Sequence, residues 1–134
     1  MNFRSVPEFD KEFKKLSKDY PTLEGDLDLL KKVITVSPHN LPGSVKIQAG
    51  NDVVLDIFKV RHFRCRALHK GCRSGIRVVY GYDKERELIL LLQIYYHERE
   101  DTNHDTVRIK QYCSSTVYAD LVKDIPKSPQ SSII

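Results

Sequence analysis

The chain has 134 residues, 40% of them hydrophobic, which is enough to bury one core without disulfide bonds or a structural metal. Its formal net charge of +4 is only mildly basic, which argues against a protein that coats nucleic acid with its whole surface but is compatible with a local basic site. The longest apolar run, residues 88–94, is far shorter than the roughly 20 residues that span a bilayer, so no membrane segment is expected.

The N-terminus and the cysteines indicate a cytoplasmic protein. Charged residues near the N-terminus occupy the place where a signal peptide has its hydrophobic region. Three cysteines are an odd count that suggests no disulfide framework, so we expect a reducing compartment. Composition predicts one domain over residues 1–125 and a flexible tail, rich in proline and serine, over residues 126–134.

Two helices are predicted at the start of the chain. Ser5 and Glu8 have the spacing of a capping box, which predicts a helix that begins near residue 6 and ends before Pro21. A second amphipathic helix should follow, because aliphatic residues then recur at helical spacing: Leu23, Leu27, Leu30 and Ile34.

Extended structure is predicted from the proline-containing loop 36–44 to about residue 96, with strand-like segments at 45–48, 53–65, 76–82 and 88–94. The last of these is nearly all apolar, as expected of a strand covered on both faces, so we predict that it is the innermost strand.

One more helix is predicted within residues 104–125. Its apolar positions lie near helical spacing and comprise Ile109, Cys113, Val117 and Leu121. Cys113 is expected to be a small buried hydrophobic residue.

A one-sided basic segment spans residues 57–82. It contains no carboxylate, although acidic residues nearly balance basic ones elsewhere, and its cations are Lys59, Arg61, Arg64, Arg66, Lys70, Arg73 and Arg77. Such segregation predicts a polyanionic partner, and the simpler alternative is a solvated basic face.

The alternation of side chains along a strand places some of these cations on one face. Residues two apart share a face, so Lys59 and Arg61 should point together, away from the core. If the next strand is a neighbour, Arg77 joins them, and three cations converge. Preorganised cations stabilise the charge that develops on phosphorus when RNA is cleaved by its own 2′-hydroxyl, a route that needs no metal or other cofactor.

Proton transfer in such a reaction needs further groups near the phosphate. The available set follows the apolar strand and comprises Tyr95, Tyr96, His97 and Arg99. The alternative is structural: His97 would be a surface residue, and one of the tyrosines would complete the core.

A zinc site is a second interpretation of the basic segment, because it contains suitable ligand types at His62, Cys65, His69 and Cys72. The spacing argues against it. Zinc motifs generally place a longer loop between their ligand pairs, and a strand through residue 65 would turn His62 and Cys65 to opposite faces.

Four strings in this order resemble the RelE/ParE superfamily of bacterial type II toxins: VPEFDKEFKKLSKDYP, FKVR, SGIRVVYGYD and ELILLLQIYYHERED. The resemblance covers residues 3 to about 110, and SGIRVVY is its most specific part. It implies an α+β fold, with an N-terminal helical hairpin packed on a twisted, mainly antiparallel four-stranded sheet, followed by a C-terminal helix.

In the RelE branch, the resemblance implies a metal-independent endoribonuclease that cuts mRNA on the ribosome and is held inactive in a hetero-oligomer with a cognate antitoxin. Lys59 and Arg61 match the basic pair of the second strand, and Arg77 matches the arginine that supports the scissile phosphate. Arg99 or His97 falls near the cationic position after the last strand. The remaining cations are expected to grip the RNA backbone: Arg64, Arg66, Lys70 and Arg73.

The sequence departs from short members of the superfamily in a basic insertion at 62–74, an extension after residue 110 and an acidic HERED segment. Two alternatives therefore stay open. One is a ParE-like inhibitor of DNA gyrase, and the other is an inert homologue that only binds an antitoxin or RNA.

Overall fold

The computed structural model describes residues 1–68, 74–97 and 104–127, which form an α+β fold. The helices are α1 (Pro7–Asp19), α2 (Leu23–Val36), α3 (Thr106–Cys113) and α4 (Ser115–Leu121). The strands are β1 (Asn2–Ser5), β2 (Ser44–Ile47), β3 (Asp56–Val60), β4 (Ile76–Asp83) and β5 (Leu88–Tyr96). Most of the predicted tail, residues 128–134, lies outside the described residues.

The five strands form one mixed sheet in the order β1-β5-β4-β3-β2. β1 runs parallel to β5, and the other neighbours are antiparallel. The middle strand is therefore β4, and the prediction that β5 is innermost was wrong. β5 is almost fully buried because other elements cover both of its faces. An apolar run therefore predicts that a strand is buried but does not predict its place in the strand order.

The first helix begins as predicted, but without the predicted capping box. Val6 is the residue before the helix, and no side chain caps it. Ser5 belongs to β1, where it pairs with Leu91, and its hydroxyl donates to the Asp10 carboxylate at 2.6 Å. The strand pairing holds Ser5 outside the capping position, and Pro7 at the first helical position supplies the favourable backbone angle instead.

The predicted C-terminal helix is divided in two. Ser114 adopts an extended conformation, with φ −70° and ψ 153°, and separates α3 from α4. The chain there forms an isolated antiparallel bridge with Val53. This pairing competes with helix formation where paired serines already weaken it. Cys113 is fully buried, as predicted.

The two faces of the sheet carry different elements. On one face, aromatic side chains of the strands meet the first two helices and the loop after α2; Tyr20 stacks on Tyr96, and the Tyr80 hydroxyl donates to the carbonyl of Pro38. The segment with α3 and α4 lies on the other face, where the Tyr118 hydroxyl donates to Asp83. No helix in the described parts of the chain is long and apolar enough to cross a membrane.

Candidate functional site

Strand register brings two of the predicted cations to the same face of the sheet. Lys59 of β3 lies opposite Val79 of β4, and Arg77, two residues before Val79, lies opposite Tyr95 of β5. Phe58 points to the other face and is buried, as the alternation predicted. The sheet therefore places an ammonium, a guanidinium and a phenol together.

Arg61 joins this group just beyond the end of β3. Arg77 donates from Nη1 to the carbonyl oxygen of Arg61 at 2.9 Å, which fixes the two residues to each other. Burial lowers the pKa of the Lys59 ammonium, and the nearby charges of Arg61 and Arg77 lower it further. Among the described residues, no ion pair involves either arginine. The positive potential of this face therefore favours the binding of an anion.

Tyr95 lies within this cationic group. Its side chain is only 7% exposed, and its hydroxyl has no hydrogen-bond partner among the described residues. Burial raises the pKa of Tyr95, and the charges of Arg77 and Arg61 oppose that rise. A buried, protonated hydroxyl without a partner costs stability, and an ordered water, an ion or a ligand can complete its hydrogen bonding.

Changing Tyr95 to phenylalanine should separate function from stability. Removing the unpaired hydroxyl is expected to stabilise the fold by about 1 kcal/mol. If the protein cleaves RNA, as the resemblance implies, and the hydroxyl serves that reaction, cleavage should fall by about 10²-fold. Thermal unfolding and single-turnover cleavage measure the two effects. Tyr96→Phe is the matched control on the opposite face, and equal cleavage losses in both variants would contradict the assignment.

His104, just before α3, was not among the predicted site residues. Its Nδ1 lies 3.3 Å from Lys59 Nζ. The following residue is tied to the sheet, because the backbone N–H of Asp105 donates to Gln93 Oε1 at 2.7 Å. Burial and the Lys59 charge lower the pKa of His104. The only sequence signal was Gln93, a polar side chain inside an apolar strand.

The other predicted proton-transfer residues are placed differently. His97 is exposed in the turn after β5, and its backbone N–H donates to the carbonyl of Gly75 at 2.8 Å. Tyr96 lies on the opposite face from Tyr95. Arg99 lies outside the described residues, as do the predicted RNA-binding residues Lys70 and Arg73.

Arg64 and Arg66 lie beside α2 and away from the Lys59 cluster. Arg66 donates from Nε to the buried carboxylate of Asp26 at 2.7 Å, and its backbone N–H donates to the same side chain. Burial alone would raise the pKa of Asp26, but hydrogen bonds from Thr22 and Arg66 outweigh it and lower the pKa. Arg66 therefore anchors the basic loop to α2. Arg64 is exposed and lines a groove there.

The zinc interpretation gains no support from the described ranges. Cys65 is buried and His62 is exposed, whereas His69 and Cys72 fall outside those ranges. Within them, no three side chains of histidine, cysteine, aspartate or glutamate are arranged to hold a metal ion.

Comparison with known proteins adds no relative. A scan against models of protein families finds no match for this sequence, and a search of curated proteins finds no similar sequence.

Proposed function

We propose that this protein is a RelE-like toxin, a metal-independent endoribonuclease that cuts mRNA on the ribosome in the cytoplasm. The observation that carries the proposal is the convergence of Lys59, Arg61 and Arg77 near the Tyr95 hydroxyl, which has no hydrogen-bond partner in the described part of the chain. The antiparallel run from β2 to β5, which follows two helices, supports the RelE-like arrangement.

The chemistry follows from the charges. The 2′-oxygen of a ribose attacks the adjacent phosphorus, and the bond to the 5′-oxygen of the next nucleotide breaks. The products are a 2′,3′-cyclic phosphate and a 5′-hydroxyl; the 2′-hydroxyl loses a proton, and the leaving oxygen gains one. Lys59, Arg61 and Arg77 stabilise the pentacoordinate phosphorus, where negative charge increases.

Tyr95 is suited to donate a hydrogen bond in this reaction. Its raised pKa keeps the phenol protonated at neutral pH, and the hydroxyl has no competing partner among the described residues. It can therefore donate to a phosphate oxygen or to the leaving 5′-oxygen. His97 and Arg99 belong to the proposed set by position alone, and Lys70, Arg73 and Arg64 are proposed as backbone contacts to RNA.

A toxin of this kind needs an antitoxin, and an apolar surface beside α2 is a suitable place for one. Leu29, Val33 and Val36 are 52%, 47% and 85% exposed and follow one another at helical spacing. Leu29 and Val33 border a groove of about 210 Å³ whose other wall includes Phe63 and Arg64. Apolar side chains beside cations fit an acidic, amphipathic helix of a partner protein.

Replacing Val33 with glutamate should release the protein from its antitoxin. A selection of genes from the source genome for relief of growth arrest would recover the antitoxin, expected to be a small acidic protein. Because charge on the apolar stripe opposes an acidic helix, we expect Val33→Glu to resist suppression at least tenfold. Thr35→Glu is the control, because Thr35 is exposed on α2 but does not belong to the apolar stripe. Equal suppression of both variants would exclude this surface.

The proposed activity is tested by inducing the wild-type protein in bacteria and mapping RNA ends that carry a 5′-hydroxyl. New ends inside translated frames are the expected result. Growth arrest without new ends would overturn the nuclease assignment in favour of gyrase inhibition, which supercoiling of plasmid DNA would report. Neither arrest nor new ends would indicate an inert homologue.

A further inference from the structure

The contact between Lys59 and His104 constrains the protonation of the histidine. A protonated lysine only donates hydrogen bonds, so His104 Nδ1, 3.3 Å from Lys59 Nζ, must accept. The imidazole is then neutral and carries its proton on Nε2. Burial and the Lys59 charge favour this neutral form, since both lower the pKa of His104.

The histidine is attached to rigid structure on both the strand and the helix side. The Asp105 backbone is held by Gln93 of β5 at 2.7 Å. The Asp105 carboxylate in turn accepts from the backbone N–H of Arg108 at 3.0 Å, which caps the start of α3. Since the residue that follows it is fixed to both β5 and α3, His104 presents its acceptor at a defined place over the sheet.

We propose that His104 is a positioning residue, a neutral imidazole that holds the Lys59 ammonium in place against the bound phosphate. An ammonium has three donors, so Lys59 can bond His104 and still donate to a phosphate oxygen. A flexible four-carbon side chain gains most from such a restraint, because its rotamer freedom is then already lost before the transition state forms. That the phosphate belongs to RNA rests on the function proposed above.

Protonation of His104 should cancel this role. An imidazolium cannot accept from Lys59 and repels it, and the charges of Arg61 and Arg77, which act on the same lysine, add to the positive charge there. The carboxylate of Asp105, the next residue in the chain, lies 3.8 Å from Arg108 Nε of α3, and the β5 residues on this face of the sheet, Gln93 and Tyr95, are neutral. Activity should therefore be lost as pH falls through the His104 pKa, which lies below its ordinary value.

The first test needs no RNA. In ¹⁵N-labelled wild-type protein at pH 7, long-range ¹H–¹⁵N NMR should show His104 with a proton on Nε2 and an unprotonated Nδ1. Lys59→Met should shift the Nδ1 resonance, because it removes the donor. A proton on Nδ1, or a charged ring at pH 7, would overturn the inference, whether or not the protein cleaves RNA.

The second test uses the pH dependence of cleavage. Asparagine places an amide near the position of Nδ1 and does not titrate, so His104→Asn should keep kcat within about threefold and lose the acidic limb of the profile, whereas His104→Ala should lower kcat about tenfold. An acidic limb that persists in His104→Asn, or wild-type kcat in His104→Ala, would overturn the positioning role. If the wild type cleaves no RNA, the proposed function fails, and the NMR result alone decides the fate of His104.

Discussion

For the proposed endoribonuclease, replacing Arg77 with alanine is expected to lower RNA cleavage by about 10²–10³-fold, the usual cost of losing one preorganised group that stabilises transition-state charge. Arg77 lies opposite Tyr95 in the sheet and is fixed by its 2.9 Å bond to the Arg61 carbonyl. Its loss removes one charge from the site and also removes the hydrogen bond that holds the backbone of Arg61, which carries another charge. The effect should appear in kcat more than in KM, because the charge it stabilises develops during the reaction.

The matched control is Lys123→Ala on the distant C-terminal segment. Lys123 is 76% exposed, and its removal changes the net charge by the same amount. Single-turnover cleavage of a defined RNA, with thermal unfolding measured in parallel, compares the two variants. If Arg77→Ala cleaves within threefold of the wild type, the cationic cluster is not the catalytic site. If both variants lose activity equally, only overall charge matters.

The cationic face could be predicted from the sequence because the side chains of a strand alternate strictly between its two faces. Phe58 faces the core, so Lys59 must face away from it, and the pairing of consecutive strands β3 and β4 brings Arg77 to the same side. Each step depends on local alternation and on the pairing of two strands that follow each other in the chain. Such features are encoded within a few residues and can be read without the rest of the fold.

The features that were missed depend on contacts between distant parts of the chain. β1 has four residues and forms only by pairing with β5, so its own sequence carries little strand signal. His104 lies 45 residues from Lys59, and nothing near either residue indicates the other. The break at Ser114 likewise depends on a bridge to Val53.

Arg108→Met is expected to lower the free energy of unfolding by about 2 kcal/mol, because breaking one side of a half-buried ion pair leaves the other side unpaired. β1 pairs with β5 only as far as Leu91, so the edge of β5 is open beyond that residue. Arg108 donates from Nη1 to the Leu92 carbonyl at 2.9 Å and to Glu12 at 2.8 Å, and the N–H of Ile94 donates to the same carboxylate at 3.3 Å. The ion pair thus completes the hydrogen bonding of the strand edge.

Urea unfolding measures the loss, with Lys110→Met as a control that removes the same charge from an exposed position on the same helix and should cost less than about 0.5 kcal/mol. Arg108 is 13% exposed and Glu12 28%, so the two side chains are shielded enough for their coupling to survive added salt. A double-mutant cycle with Glu12→Gln should therefore give a coupling energy above about 1 kcal/mol. Independent, additive effects would mean that Arg108 acts through the Leu92 carbonyl alone, and α1 would then not be tied to α3 across the open edge of β5.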